Sequence, residues 1–226
     1  MTTPVENKLP LSTKVGYGLG DVGSNFFIVT TGMFLLFFLT NVLGVEPALA
    51  GLALLFPKLW DVVSDPIMGA ISDATRSNMG RRRPYLLYGS VPFGLSLFFL
   101  FMAPHYRSEV STVIHVGIMF AVACTTFTVI NVPYSSMVAE MSDNYNERMS
   151  ITSFRMASAS VGAMLAGGLA MPLVEIGGGG ESGFRLMSLV FGLIMIFSCM
   201  ICFRATRHTH FLPPSEKSTP LKTQFK

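Results

Sequence analysis

Six blocks of mostly apolar residues, at approximately 19–43, 49–72, 85–103, 113–138, 151–174 and 184–203, limit what this chain can fold into. A hydrocarbon core of about 30 Å is crossed by about 20 helical residues, and each block is close to that length or longer. Lipid offers no partner to backbone N–H and C=O groups, and the blocks are too long for barrel strands, so helices are the expected elements. The composition agrees: half of the residues are hydrophobic and 13% are charged, where soluble domains carry about a quarter. The expectation is an all-α membrane protein in which 1–203 form a bundle of six transmembrane helices and 204–226 form a tail.

Residues 1–14 are polar and no small-residue cleavage site follows a short apolar core, so the first block is expected to remain as a span. Lys8, Lys14, Arg76, Arg81, Arg82, Arg83, Arg148, Arg204, Arg207, Lys217, Lys222 and Lys226 fall on one side of a six-fold weave, and Arg107 and Arg185 on the other. By the positive-inside rule both termini are then cytoplasmic, in an inner-membrane type of protein. The net charge of +3 therefore reads as topology; without an aromatic-interleaved basic patch it implies no nucleic-acid partner. Cys124, Cys199 and Cys202 all lie inside expected spans and imply no disulfide framework. The C-x-x-C at 199–202 lacks further ligands, His208 and His210 fit a solvated tail, and no cofactor is expected. The glycine run 177–180 lacks the Gly-Lys-Ser/Thr ending of a phosphate cradle and reads as a turn. Small residues crowd the fifth block, among them Gly162, Ala163, Ala166, Gly167 and Gly168, which predicts a helix inside the bundle.

Charged residues inside the blocks point to function. The second block contains KLWDVVSDPIMG, whose two carboxylates and one amine would cost roughly 8–10 kcal/mol at the membrane centre. Lys58, Asp61 and Asp65 are three and four residues apart and share one helix face. A Lys58–Asp61 ion pair would leave one carboxylate over. Two carboxylates with Ser64, and carbonyls freed by Pro66, offer the oxygen shell that Na⁺ prefers, and a shared proton would serve as well. Asp61 and Asp65 are thus the candidate cation site, and the metal site if the ion is Na⁺. The remaining intramembrane polar groups are Asp21 and Asn25, Thr128 and Asn131, and Arg155; singly they suggest interhelical hydrogen bonds, together a pocket. Gly18-Leu19-Gly20-Asp21 matches the G-x-G-D of intramembrane aspartyl proteases, but the partner Tyr-Asp is absent. Asp21 is accordingly read as a structural or coupling carboxylate, and no enzymatic activity is expected.

Asp73, Gly80, Arg81, Arg82, Arg83 and Pro84 follow the second block, with Glu140, Asp143 and Glu147 on the neighbouring turn. This arrangement resembles the signature between the second and third helices of major facilitator transporters, where carboxylate and arginines form a cytoplasmic gate. Together with YGLGDVGSNFF, NVPYSSMVAEMSDNYNERMS and FRATR, it resembles the glycoside-pentoside-hexuronide:cation symporters, the family of the melibiose permease, over the whole chain. The resemblance implies that Asp61 and Asp65 bind the coupling Na⁺ or H⁺, and that Asn25, Thr128, Asn131, Ser135 and Arg155 hold a sugar or glycoside. The permease has carboxylates where this chain has Asn25 and Asn131, and an aromatic residue in place of Ser135, so an anionic or pentose-type glycoside is the implied cargo. Family members have about twelve helices, so this chain corresponds to the N-terminal half of a major-facilitator-type fold, with 204–226 resembling the start of the central loop. A C-terminal six-helix half is the implied partner, beside membrane lipid. A non-transporting remnant or accessory subunit, and a sodium–lysolipid type of symport, are the alternatives.

Overall fold

A computed structural model of the chain describes residues 8–104, 106, 108–207 and 209, and among them every regular element is a helix. Arg107, His208, His210 and the tail from residue 211, with Pro213, Pro214, Lys217, Pro220, Lys222 and Lys226, lie outside the described residues. Helices α1 (Leu11–Gly18) and α2 (Gly20–Val29) meet at Leu19, and two π turns, Thr30–Phe34 and Phe38–Val42, flank the short α3 (Leu35–Phe37). These pieces form one rod, Leu11–Val42. It begins before the apolar block because Lys14 is buried against Glu147 of a later helix, Nζ to Oε1 2.9 Å, so a polar turn can be packed.

The other long helices are α4 (Pro47–Ala74), α5 (Arg83–Leu100), α6 (Glu109–Met141), α7 (Tyr145–Ile176) and α8 (Gly180–Ala205). Five segments are long and apolar enough to cross a membrane: Leu11–Val42, α4, α6, α7 and α8. The remaining expected span corresponds to α5, whose 18 residues open on Arg83 and Pro84 and reach about 27 Å at 1.5 Å per residue. Local chemistry sets the ends. Pro47 occupies the start of α4, where a missing N–H costs nothing. Asn144 caps α7 by accepting from the N–H groups of Asn146 and Glu147. The glycine run reverses the chain between α7 and α8, with Gly178 and Gly179 at φ +90° and +72°.

Close approach of glycines and a phenylalanine core hold the bundle. A Cβ on Gly94 of α5 would lie 2.4 Å from the Gly192 carbonyl oxygen of α8, so these helices cross backbone on backbone. Phe27 stacks on Phe127 at 4.9 Å, and Phe38, Phe101 and Phe184 form a second aromatic cluster. Helix α2 packs against α6, α7 and α8, whereas α4 packs chiefly on α6. Only 22% of the apolar window is buried in α4 and in α7, against 50% in Leu11–Val42 and 44% in α8, so α4 and α7 carry the uncovered faces among these spans. Helix α7 packs on α1, α2, α6 and α8, as a span expected inside a bundle would, and within this chain it buries one face. Gly162, Ala166, Ala170 and Val174 form one buried stripe, four residues apart, while Val161, Met164, Leu165 and Leu169 are exposed. Small residues at every fourth position make one contact ridge, not a helix surrounded on all sides.

Candidate functional site

Three groups of polar side chains converge at helix contacts. The first lies between α4 and α6. Lys58 reaches Asp61 with Nζ to Oδ2 at 3.4 Å, and its side chain is 55% exposed. Asp61 Oδ1 is buried without a hydrogen-bond partner among the described residues; the Cys124 thiol, a weak donor, is near the Asp61 carboxylate. One turn on, Asp65 Oδ1 accepts from the Thr128 hydroxyl at 2.8 Å. Ser64 turns back to the Asp61 carbonyl at 3.4 Å, a backbone contact in its own helix. Trp60 ties the same two helices by donating from Nε1 to Thr125 Oγ1 at 3.0 Å. Two carboxylates one turn apart and a hydroxyl make an oxygen-rich, hard-ligand set. Among the described residues no group of three or more His, Cys, Asp or Glu is placed to hold a metal ion.

The second group lies between α2 and α7. Arg155 donates to both oxygens of Asp21, Nε to Oδ2 at 2.7 Å and Nη2 to Oδ1 at 3.2 Å. The two side chains are 12% and 8% exposed. The guanidinium lies 4.6 Å from the Tyr134 ring centroid and 5.7 Å from that of Tyr17. The two tyrosines brace the Leu19 joint reciprocally: each hydroxyl donates to the other residue's backbone carbonyl. Asn25 donates from Nδ2 to the Asp21 carbonyl at 2.8 Å. The joint itself is opened by Ser198 of α8, whose hydroxyl accepts from Gly23 N–H at 2.9 Å and donates to the Leu19 carbonyl. A side-chain hydroxyl is thus inserted into the helical ladder beside Asp21.

Of the expected substrate residues, Asn25 and Arg155 meet round Asp21, whereas Thr128 is turned to Asp65. Asn131 and Ser135 follow Thr128 at three and seven residues, on the same α6 face, and make no side-chain hydrogen bond among the described residues. Helix α6 therefore touches both groups: Thr128 belongs to the first and Tyr134 to the second.

The third group joins the α4–α5 turn to the end of α6. Arg82 donates to Asp73 at 2.7 Å and lies 3.3 Å from Glu140, to which Arg81 also donates. Gly80, at φ +93°, gives the reversal that a side chain would strain. Arg83 stands apart from these carboxylates: it is buried, donates to the Phe203 carbonyl at 3.1 Å and stacks on the Phe203 ring. Glu147 pairs with Lys14 and Asp143 with Arg148, so Glu140 is the α6 carboxylate that takes the arginines.

The Asp21–Arg155 pair was readable in principle, since an arginine in a span requires an acceptor and one acidic residue stood in the first block. Tyr17 and Tyr134 lie within the quoted motifs YGLGD and NVPYSS. Ser198 carries no local signal at all.

Comparison with known proteins places these sites in context. The family described as MFS/sugar transport protein matches residues 16–226. The uncharacterized symporter YnaJ of Bacillus subtilis is 35% identical, over 97% of this chain and 49% of its own length. The inner membrane symporter YicJ of Escherichia coli is 31% identical over 93% and 46%, and the isoprimeverose transporter of Lactiplantibacillus pentosus 27% identical over 98% and 47%. The chain spans about half the length of the curated relatives it matches.

Proposed function

Because this chain belongs to the MFS/sugar transport protein family, we propose that it supplies the N-terminal half of a cation-coupled sugar or glycoside symporter. In this reading α5 is a sixth span, both termini are cytoplasmic, residues from 204 begin the central loop, and a second six-helix half covers the open faces of α4 and α7. The observation that carries the reading is Asp61 Oδ1, buried with no hydrogen-bond partner among the described residues, one turn from an Asp65 held by Thr128. An orphaned buried carboxylate oxygen is costly until a cation or proton takes it. A bound Na⁺ or H⁺ cancels one negative charge of the pair and removes the charge assistance from the Thr128–Asp65 hydrogen bond. Thr128 shares its helix face with Asn131 and Ser135, the sugar-facing candidates, so ion and sugar bias the same α6 segment. By linkage the sugar then tightens the ion as much as the ion tightens the sugar. Asp73, Arg81, Arg82 and Glu140 form the gate at the cytoplasmic end, and Gly80 provides its turn; Arg83 anchors α5 to α8.

Uptake of radiolabelled glycosides into membrane vesicles that hold the chain together with its second half, with and without Na⁺ or a proton gradient, tests this reading. Asp65→Asn is expected to reduce cation stimulation by at least about tenfold, equivalent to 1.4 kcal/mol of coupling, while membrane insertion is unchanged. Stimulation at the original level in the variant would remove Asp65 from the coupling site. A second reading, an apolar cargo such as a lysolipid, draws on a groove of about 620 Å³ between α4 and α6, lined by Leu52, Phe56, Trp60, Ile114 and Ile118. Competition of glycoside uptake by a lysolipid, at concentrations that leave the vesicles intact, would favour it.

A further inference from the structure

We infer that Asp21 is a specificity-determining residue: by closing the Arg155 fork it makes the sugar pocket select neutral, hydroxyl-rich glycosides over their carboxylate counterparts, which reverses the anionic cargo expected from the resemblance. The inference rests on the reading that Asn25, Asn131, Ser135 and Arg155 face the substrate.

A free guanidinium presents a planar fork that matches a carboxylate with two parallel hydrogen bonds. Here the fork is already filled. Nε and Nη2 hold the two oxygens of Asp21 at 2.7 and 3.2 Å, and Nη1 alone has no partner among the described residues. An anionic sugar could gain the two-point contact only by displacing Asp21, which would leave a carboxylate buried and unpaired.

The packing resists that exchange. A Cβ on Gly18 would lie 2.9 Å from the Phe154 carbonyl oxygen, and one on Gly162 2.9 Å from the Val22 Cα, so α1 and α2 touch α7 on the two sides of the pair. The tyrosine brace and the Ser198 hydroxyl fix the backbone from which Asp21 projects. Arg155 is further held against the Tyr134 ring.

Charge balance across the spans leads to the same selection. The mid-span charged groups are Asp21, Asp61 and Asp65 against Lys58 and Arg155, one net negative charge. A single bound Na⁺ or H⁺ brings that balance to zero. A neutral sugar leaves it at zero, whereas an anionic one would restore a net charge where hydration is poor. Amides and a hydroxyl at Asn25, Asn131 and Ser135, with the remaining Nη1 donor, match sugar hydroxyls, which both donate and accept.

The test compares matched pairs, glucoside with glucuronide and galactoside with galacturonide, as aryl glycosides bound to the full chain in membrane vesicles at saturating Na⁺. The neutral member of at least one pair is expected to bind at least about tenfold more tightly, and Asp21→Asn, which opens the fork, to narrow that ratio to about threefold or less. A carboxylate sugar bound as tightly as its neutral partner by the unaltered chain, or a ratio unmoved by Asp21→Asn, overturns the inference while the transport reading stands. Binding of no sugar in any pair overturns the transport reading and this inference with it. Should Asp21→Asn fail to insert, the doubly neutral D21N/R155Q serves: its ratio is expected to stay within about threefold of the unaltered chain's. A larger rise in neutral preference would mean that Arg155 holds anions despite Asp21, and the inference would fall.

Discussion

Two carboxylate sites sit at comparable places in the bundle and are treated in opposite ways. Between α2 and α7, Asp21 meets an arginine with both oxygens, two aromatic rings flank the cation, and glycines bring the backbones into contact. Between α4 and α6, Asp61 meets a half-exposed lysine at 3.4 Å, Asp65 meets a threonine hydroxyl, and one Asp61 oxygen has no hydrogen-bond partner among the described residues. Burial is thus not what separates a structural charge from an available one. The number of partners within reach is, and it follows how closely the two helices approach and which of their faces remain uncovered.

The sharpest way to break this comparison is to delete one acid on each side. Asp21→Ala should destabilise the protein by about 3–5 kcal/mol, because Arg155 is left buried and alone. Asp61→Ala should cost no more than about 1 kcal/mol, the range of an exposed ion pair. Denaturant titration of the purified protein in detergent measures both, and equal losses would mean that the two sites are not different in kind. A smaller effect separates the packing of the two stripes of α7. Gly162→Val should cost about 1–3 kcal/mol, since the new side chain meets the Val22 backbone, whereas Gly167→Ala, where a Cβ meets nothing within 4 Å, should be neutral or stabilising by up to about 1 kcal/mol. The smallest effect is expected at the joint: Ser198→Ala removes the inserted hydroxyl, and because Gly23 can then bond the Leu19 carbonyl directly, the loss should be about 1 kcal/mol. Amide exchange at Gly23 should slow as the ladder closes; faster exchange would show that the hydroxyl was holding the helix together, not interrupting it.

Much of the fold was legible because the signal is additive along the chain. The positions of the long helices follow from apolar blocks, the shared face of Asp61 and Asp65 from helical spacing, and the turn at Gly80 from residue type. Helix ends were less so: Leu11–Val42 starts earlier than its block because Glu147, more than a hundred residues away, receives Lys14. The arginine run reads as one unit in sequence, yet Arg81 and Arg82 take Glu140 and Asp73 while Arg83 takes the end of α8. Neighbours in the chain point in different directions on leaving a turn, and composition cannot say which.

Sequence by itself therefore determined that the chain is helical, which segments are apolar enough for a bilayer, and which charged residues require an explanation, since all three depend on transfer energies and spacing within one segment. Only the tertiary structure decided how those charges are answered. That Asp21 is closed by Arg155, that Thr128 serves Asp65, that Ser198 opens the first rod and that α7 buries one stripe all depend on which helix faces meet. Such meetings are set by backbone approach at glycines scattered across the chain, and no local pattern encodes the distance between them.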